Sequence, residues 1–193
     1  MTKMIRECVL VALLAGAVAC SGPAGDRASR GGNGAAPARS DSVPEPTARD
    51  MAGMPNARMV GTDMMFGGQP APEALATLAA QGYRTIVTTR GEGEIDWNEA
   101  SLVDSLGMQF ISIPMAAPID SIPDAWLDRF DAVMREAERP MLLHCSSGNR
   151  VAGLWAVWLA ERGGLDPARA LELGEAAGMA RIRPVVEKRL AAD

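Results

Sequence analysis

The sequence predicts an α/β fold with three layers, in which a mainly parallel sheet of four to five strands is flanked by helices. Between residues 60 and 193, short β-branched or apolar runs alternate with longer segments of helical spacing, and this alternation is typical of βαβ units. The run Thr85–Thr89 is β-branched almost throughout, which indicates a strand buried on both faces of a parallel sheet. Right-handed crossovers between such strands place helices on both faces.

Four strands are predicted, and turn-forming residues interrupt the chain after them. They are Met64–Phe66, Thr85–Thr89, Phe110–Ile113 and Met141–His144. The last strand ends at the only histidine of the chain, which Cys145 follows directly. Ligands of parallel sheets bind beyond the carboxyl ends of the strands, so this junction is a candidate site.

Helices are predicted between and after the strands. Gly82 and Gly107 follow the first two, in the position where glycine commonly ends a helix. Ser121 is predicted to cap the third helix, with Asp124 at its third position. The predicted helices are Pro72–Gln81, Glu99–Leu106, a segment from the Ser121 cap through Met134, Arg150–Glu161, Pro167–Ala177 and about Pro184–Leu190.

The N-terminus is predicted to be an export signal, residues 1–19. Lys3 and Arg6 precede 12 uncharged, mostly apolar residues, Cys8–Ala19, a run that is too short to span a bilayer but fits a cleavable signal. It ends in Ala-Val-Ala-Cys20, which resembles the lipobox of bacterial lipoproteins and implies that Cys20 carries lipid. Lipid at Cys20 would anchor the protein to a bacterial membrane, facing the periplasm or the cell surface. Ordinary cleavage before Cys20 would instead leave a soluble periplasmic or secreted protein.

Residues 20–58 are predicted to form the lipidated cysteine and a disordered linker, and residues 59–193 the folded domain. The linker region is rich in glycine and proline and has no aromatic residue, so it has little apolar surface to offset the entropy of ordering. The alternative is an irregular extension that packs on the domain.

Composition excludes several classes of protein. The chain has three cysteines and one histidine, too few for a disulfide scaffold, a four-cysteine zinc site or a histidine-rich metal centre. The net charge of −5 argues against a nucleic-acid partner. We therefore expect neither a metal nor a cofactor. Cys8 belongs to the predicted signal and Cys20 to the lipid site, which leaves Cys145 as the one free thiol of the mature chain.

The chemistry is predicted to lie in Met141–Ala152, which reads as a strand, a cysteine, a turn of small residues and a helix. The backbone amides of Ser146, Ser147, Gly148 and Asn149 can turn inward to form an anion-binding nest. The amides and the positive end of the following helix would stabilise a thiolate at Cys145. Arg150 supplies a planar guanidinium suited to a tetrahedral oxyanion. This combination favours attack on a phosphoryl or sulfuryl-like centre.

These residues resemble the cysteine-dependent protein phosphatases, which carry H-C-x5-R at a strand–loop–helix junction. Here four residues separate Cys145 from Arg150, giving H-C-x4-R, and Val151 stands where those phosphatases usually have Ser or Thr. The chain is more similar to a bacterial tyrosine-phosphatase-like branch that includes the phosphatase-like domain of beta-lactamase-hydrolase-like proteins. The similar segments are Gly68-Gln69-Pro70, Ile86–Arg90, Ile113-Pro114, His144–Trp155 and Ala176-Ala177-Gly178, within Met59–Ala180.

The resemblance implies a cysteine-phosphatase-like fold and a role for each matching residue. Cys145 would be the nucleophile that forms a phosphocysteine, and Arg150 would bind the phosphoryl oxygens within the cradle of residues 146–149. His144 would orient the loop. Such phosphatases also use an aspartic acid from a loop after a preceding strand, and Asp120 is the candidate in the loop 114–122. The implied partner is a phosphorylated small molecule or protein, including phosphotyrosine.

Two other functions remain open at this stage. A rhodanese-like sulfurtransferase would carry a persulfide on Cys145, and a four-residue loop is close to the length that rhodaneses use. Rhodaneses need no aspartic acid, so Asp120 discriminates between the two enzymes. The third possibility is a catalytically idle module that binds anions.

Overall fold

The computed structural model describes residues 43–192, which form six strands and six helices. The strands are β1 (Thr47–Ala48), β2 (Arg58–Val60), β3 (Met64–Gly67), β4 (Thr85–Thr88), β5 (Gln109–Ser112) and β6 (Met141–His144). The helices are α1 (Pro72–Ala80), α2 (Glu99–Ser105), α3 (Asp124–Glu136), α4 (Asn149–Glu161), α5 (Pro167–Ala176) and α6 (Arg183–Leu190).

The strands form one sheet in the order β1-β2-β3-β6-β4-β5. The four predicted strands are confirmed as β3, β4, β5 and β6, and they pair with one another in parallel. The sheet is larger than predicted because β1 and β2 add an antiparallel edge next to β3. These two strands are two and three residues long, too short for an alternating apolar pattern to reveal them.

Helices cover both faces of the sheet, so the predicted three-layer α/β class is confirmed. On one face Phe66 and Leu143 pack in a core with helices α3 to α6, and the rings of Phe66 and Trp155 lie 5.0 Å apart. On the other face Ile86 and Leu142 pack with α1 and α2. Strand β6 is buried at every residue, as expected for the central strand of a parallel sheet.

Residues 43–58 lie on the domain, although the sequence assigned them to the linker. The side chains of Met54 and Ala57 are 5% and 2% exposed and belong to the core under α1, and the amide of Arg49 donates to the carbonyl of Ala57 at 2.9 Å. The folded part therefore begins earlier than residue 59. The predicted signal, Cys20 and linker residues 20–42 lie outside the described residues.

The start of α3 differs from its prediction. The helix begins at Asp124, its N-cap is Pro123, and no side chain caps it, so the capping box of Ser121 and Asp124 is wrong. The proline holds the extended backbone that precedes a helix, and the Asp124 carboxylate pairs with Arg189 at 2.5 Å instead. Across residues 43–192, no helix is long and apolar enough to cross a membrane.

Candidate active site

Three parallel strands bring their carboxyl ends together at Cys145. Gly67 of β3 and Thr88 of β4 both pair in register with His144, the last residue of β6. Cys145 is the first residue beyond the strand, and its amide donates to the carbonyl of Gly67 at 3.4 Å. The sheet therefore presents this cysteine where the sequence placed the site.

The loop after Cys145 turns back so that a backbone amide points at the sulfur. Gly148 has φ +87°, a left-handed conformation that glycine adopts without steric cost. Its N–H donates to Sγ of Cys145 at 3.1 Å. Helix α4 begins at the next residue, Asn149. The amide and the positive end of the helix both stabilise negative charge on the sulfur.

Neighbouring segments hold the loop from outside. The amide of Gln69 donates to the carbonyl of Ser146 at 3.3 Å, and Nδ2 of Asn56 donates to the carbonyl of Ser147 at 3.2 Å. Because these carbonyls are engaged on the outer side, the loop is fixed with its amides free to face inward, as a nest requires. Gly68 permits the close approach, since a Cβ there would lie 2.6 Å from Cγ of Pro55.

Arg150 lies in the first turn of α4 and is held by a carboxylate that was not predicted from the sequence. Its Nη1 donates to Oε1 of Glu94 and to the carbonyl of Met115, both at 2.7 Å, and its Nη2 donates to Oε2 of Glu94. The hydrogen bond with Arg150 is the main cause that lowers the pKa of Glu94 to about 2. The same hydrogen bond raises the pKa of Arg150 above its ordinary value.

A cleft of about 330 Å³ opens over the loop. Cys145 lines it without any exposed surface of its own. Of the predicted site residues, the structure brings Cys145, Ser146, Ser147, Asn149 and Arg150 to this cleft. The other lining residues were not predicted, and they are Glu94, Ala117, Ile119, Arg181 and Ile182.

Asp120, the predicted general acid, is not among the residues that line the cleft. It is exposed and lies in another cavity with Lys188 and Arg189, although the preceding residue, Ile119, does line the cleft. The loop that carries Asp120 therefore borders the site while its carboxylate is directed elsewhere. The sequence predicted a loop that does border the cleft, but it could not show the direction of one side chain.

His144 lies behind the loop rather than in the cleft. Its side chain is completely buried, and Nε2 is 3.2 Å from Oε1 of Glu99, which is itself 3% exposed. Nε2 of Gln69 donates to the same oxygen of Glu99 at 2.8 Å, and Arg90 donates to Oε1 of Gln69 at 3.1 Å. Glu99, Gln69 and Arg90 are thus joined by hydrogen bonds beside His144, whose own ring nitrogens make no hydrogen bond with residues 43–192.

Among residues 43–192, no three side chains of His, Cys, Asp or Glu cluster in a way that could hold a metal ion. The residues at the cleft instead present a sulfur atom, backbone amides and a guanidinium. Such a set suits an oxyanion.

A parallel sheet that presents a cysteine, an amide nest and an arginine at a strand–loop–helix junction defines the cysteine-phosphatase fold class. Solved structures with this fold superimpose on the chain. TpbA from P. aeruginosa is 23% identical, with a TM-score of 0.57, and the match covers 77% of this chain and 97% of that one. The catalytic domain of the PP-IP phosphatase SIW14 from S. cerevisiae is 18% identical, with a TM-score of 0.58 over 74% and 94% of the two chains.

The chain belongs to the family of the phosphatase-like domain of beta-lactamase hydrolase-like proteins, whose model matches residues 56–162. The beta-lactamase hydrolase-like protein of Agrobacterium fabrum is 29% identical over 120 residues, which are 60% of this chain and 27% of the relative. That of Xylella fastidiosa is 27% identical over 99 residues, 49% of this chain and 22% of the relative. The chain thus spans about a quarter of the length of the curated relatives it matches.

Proposed function

We propose that this domain hydrolyses phosphate monoesters through a covalent intermediate on Cys145. Two observations carry the proposal together: the Gly148 amide lies 3.1 Å from Sγ of Cys145, and Arg150 lines the same cleft as Cys145. These groups stabilise both a thiolate and the oxyanions of a phosphoryl group. Membership of a phosphatase-like family supports the same reaction class.

The reaction divides into two displacements at phosphorus. The Cys145 thiolate forms a bond to phosphorus, the ester P–O bond breaks, and the leaving oxygen takes a proton from a general acid. Water then attacks the phosphocysteine, releasing inorganic phosphate and regenerating the thiolate. Asp120 remains our candidate for the acid, which requires the loop next to Ile119 to redirect that carboxylate when substrate binds.

Phosphotyrosine is one substrate that we propose within this class. TpbA, whose fold the chain shares, has been solved in complex with pTyr. An aryl phosphate also has a good leaving group, so it tests the reaction with the least dependence on the general acid.

The deciding experiment offers para-nitrophenyl phosphate to the purified full-length chain and to Cys145→Ser. We expect phosphate release by the wild type, a loss of at least about a thousandfold in the variant, and a phosphoryl adduct on the Cys145 peptide after acid quench. Ser105→Ala serves as the control, because Ser105 is an exposed hydroxyl at the end of α2. Release that survives Cys145→Ser would reject the nucleophile.

Sulfur transfer is a second candidate, favoured by the loop of four residues between Cys145 and Arg150, since a smaller cradle suits a persulfide. In that reaction the thiolate takes the outer sulfur of thiosulfate and releases sulfite, and cyanide then removes the sulfur as thiocyanate. Thiocyanate formation without phosphate release would select this function. An absence of both products, with orthophosphate still bound, would indicate an idle anion-binding module.

We also propose that Cys20 is lipidated and anchors the domain to a bacterial membrane. The proposal rests on the Ala-Val-Ala-Cys sequence that ends the apolar run. Metabolic labelling with a palmitate analogue should label the wild type and not Cys20→Ala. Absence of label in the wild type, or label that persists in the variant, contradicts the anchor.

A further inference from the structure

A second cavity, of about 340 Å³, adjoins the reactive cleft. The two share Ser147, Asn149 and Arg181 as a common wall. A ligand bound at Cys145 that extended past Arg181 would therefore reach this neighbouring space. We call it the adjoining cavity.

Two arginines give the adjoining cavity an excess of positive charge. Arg58 and Arg181 both line it, and within residues 43–192 neither has a carboxylate in ion-pair range. The Arg58 side chain donates to the neighbouring carbonyl of Ala57 at 3.0 Å. One carboxylate, Glu175, also lines the cavity, but Arg183 neutralises it through an ion pair. Most other arginines among residues 43–192 form an ion pair with a carboxylate. Two arginines without such a partner at one cavity therefore indicate a site for an anion.

The arginines are held by the same elements that build the reactive loop. Oδ1 of Asn149, the first residue of α4, accepts the amides of Ala180 at 2.8 Å and Ile182 at 3.3 Å. The backbone of Arg181 is thereby tied at both sides to the helix that carries Arg150. Arg58 lies in β2 and pairs in register with Phe66 of β3. Both backbones are therefore fixed relative to Cys145, as a specificity site requires.

We propose that the adjoining cavity binds a second anionic group of the substrate, a phosphate or a carboxylate, while the first phosphate lies over Cys145. This inference rests on the proposed phosphatase function, and it narrows the substrate class to phosphate esters that carry a further negative group. Guanidinium groups bind phosphate and carboxylate in a bidentate manner. Arg181, which borders both spaces, contacts the part of the ligand that joins the two groups.

The test compares the binding of orthophosphate and tripolyphosphate to the purified full-length chain by isothermal titration calorimetry. Orthophosphate reaches only the nest, whereas tripolyphosphate extends beyond it. We expect the wild type to bind tripolyphosphate at least about tenfold more tightly, since a charge-assisted contact contributes about that factor. Arg58→Gln and Arg181→Gln together should bring the ratio of the two affinities close to one, and the double lysine variant should retain part of it.

Arg84→Gln is the matched control, because Arg84 is exposed and precedes the amino end of β4, at the opposite end of the strands from Cys145. It removes a charge from the chain and should leave the affinity ratio unchanged. Circular dichroism checks that each variant is folded.

Each alternative outcome has a distinct meaning. A ratio near one in the wild type, a ratio unaffected by the double glutamine variant, or an equal loss in Arg84→Gln overturns the adjoining cavity as an anion site. Failure of orthophosphate to bind the wild type rejects the anion nest at Cys145, and with it the proposed function. Tight tripolyphosphate binding without turnover of para-nitrophenyl phosphate rejects catalysis while leaving the second site in place.

Discussion

At the scale of single residues, the ion pair of Arg150 and Glu94 fixes the position of the guanidinium in the cleft. The carboxylate occupies both terminal nitrogens of the guanidinium, and the carbonyl of Met115 also accepts from Nη1. The side chain of Arg150 is 9% exposed. A cation so buried needs partners for its N–H groups, so Glu94 is best described as a positioning residue that fixes the guanidinium beside Cys145.

The pair makes the stability of the fold depend on pH in a predictable direction. The pKa of Glu94 falls from an ordinary value of 4.5 to about 2 on folding, so its contribution is present above pH 4.5 and is lost as the pH falls towards 2. We expect Glu94→Gln to lower the free energy of unfolding at pH 7 by on the order of 1–2 kcal/mol, after allowance for solvent screening. Urea unfolding should show the difference from the wild type shrinking between pH 4.5 and 2.

Glu92→Gln is the control for that prediction, because Glu92 lies two residues away in the same loop and is exposed. It should leave the free energy of unfolding within a few tenths of a kcal/mol of the wild type at every pH. A difference between Glu94→Gln and the wild type that stays constant down to pH 2 contradicts the ion-pair explanation.

The identity of the general acid gives the second prediction at this scale. If Asp120 protonates the leaving group, Asp120→Asn should lower kcat for alkyl phosphates by about a hundredfold or more and remove the alkaline limb of the pH–rate profile, where the acid loses its proton. The effect on para-nitrophenyl phosphate should be smaller, because its leaving group needs less protonation. Asp104→Asn, an exposed position on α2, is the control. An unchanged profile with alkyl substrates removes Asp120 from the mechanism.

Single residues also show what the sequence could and could not predict about the site. The spacing of Cys145, Gly148 and Arg150 predicted the loop, because contiguous residues on a strand–turn–helix have little conformational freedom. Glu94 was missed because it lies 56 positions from Arg150, and only the register of β4 against β6 brings its loop to the cleft. Arg181 was missed because it follows α5 and is brought to the cleft by the hydrogen bonds that join its neighbours Ala180 and Ile182 to Asn149.

At the scale of elements, the reactive loop owes its shape to segments on either side of it. Just beyond the parallel pairing of β3 and β6, an isolated antiparallel bridge joins Gly68 to Ser147 in the loop. The amide of Gly68 also donates to the carbonyl of Pro55 at 2.7 Å. The loop is therefore clamped by the chain that precedes α1, so its amides need little reorganisation to receive an anion.

Alanine at Gly148 should affect both the stability of the fold and the activity, and a comparison with Gly82 separates these two effects. Gly148 and Gly82 have the same φ of +87°, but Gly82 ends α1 in open space. Alanine at either position should destabilise the fold by a similar amount, about 1–2 kcal/mol, because each forces a left-handed backbone. Gly148→Ala should in addition reduce kcat/KM at least about tenfold by turning the amide away from Sγ. Thermal unfolding and para-nitrophenyl phosphate hydrolysis measure the two effects, and an equal loss of activity in Gly82→Ala would contradict the argument.

Elements differed in how readily they could be predicted. Buried strands such as β4 and β6 were found because both faces are apolar, and helices α1 and α2 ended near the glycines expected to end them. The start of α3 was mispredicted because a proline held the extended N-cap without any side-chain hydrogen bond. Strands β1 and β2 were missed because they are stabilised by pairing, β1 with β2 and β2 with β3, rather than by a pattern of their own.

At the scale of the whole molecule, residues 43–58 contact both the core of the domain and the reactive loop. They contribute the buried side chains of Met54 and Ala57, and they supply Asn56, whose amide group donates to the carbonyl of Ser147. The segment therefore has two roles, because it closes the core under α1 and also braces the loop beside Cys145. A tether that only spaced the domain from a membrane would have neither role.

Truncated chains can test whether residues 43–58 are part of the folded domain or only a tether. A chain that begins at residue 59 loses the burial of Met54, and loss of a buried methionine side chain costs about 2–5 kcal/mol. We expect its Tm to lie roughly 5–15 °C below that of a chain that begins at residue 43.

The kcat/KM of the chain that begins at residue 59 should also fall, because Ser147 loses its hydrogen bond from Asn56. Asn56→Gly in the longer chain preserves the positive φ of 56° and should reproduce the loss of activity with little change in Tm. Equal Tm and activity for the two truncated chains would return residues 43–58 to the role of a linker.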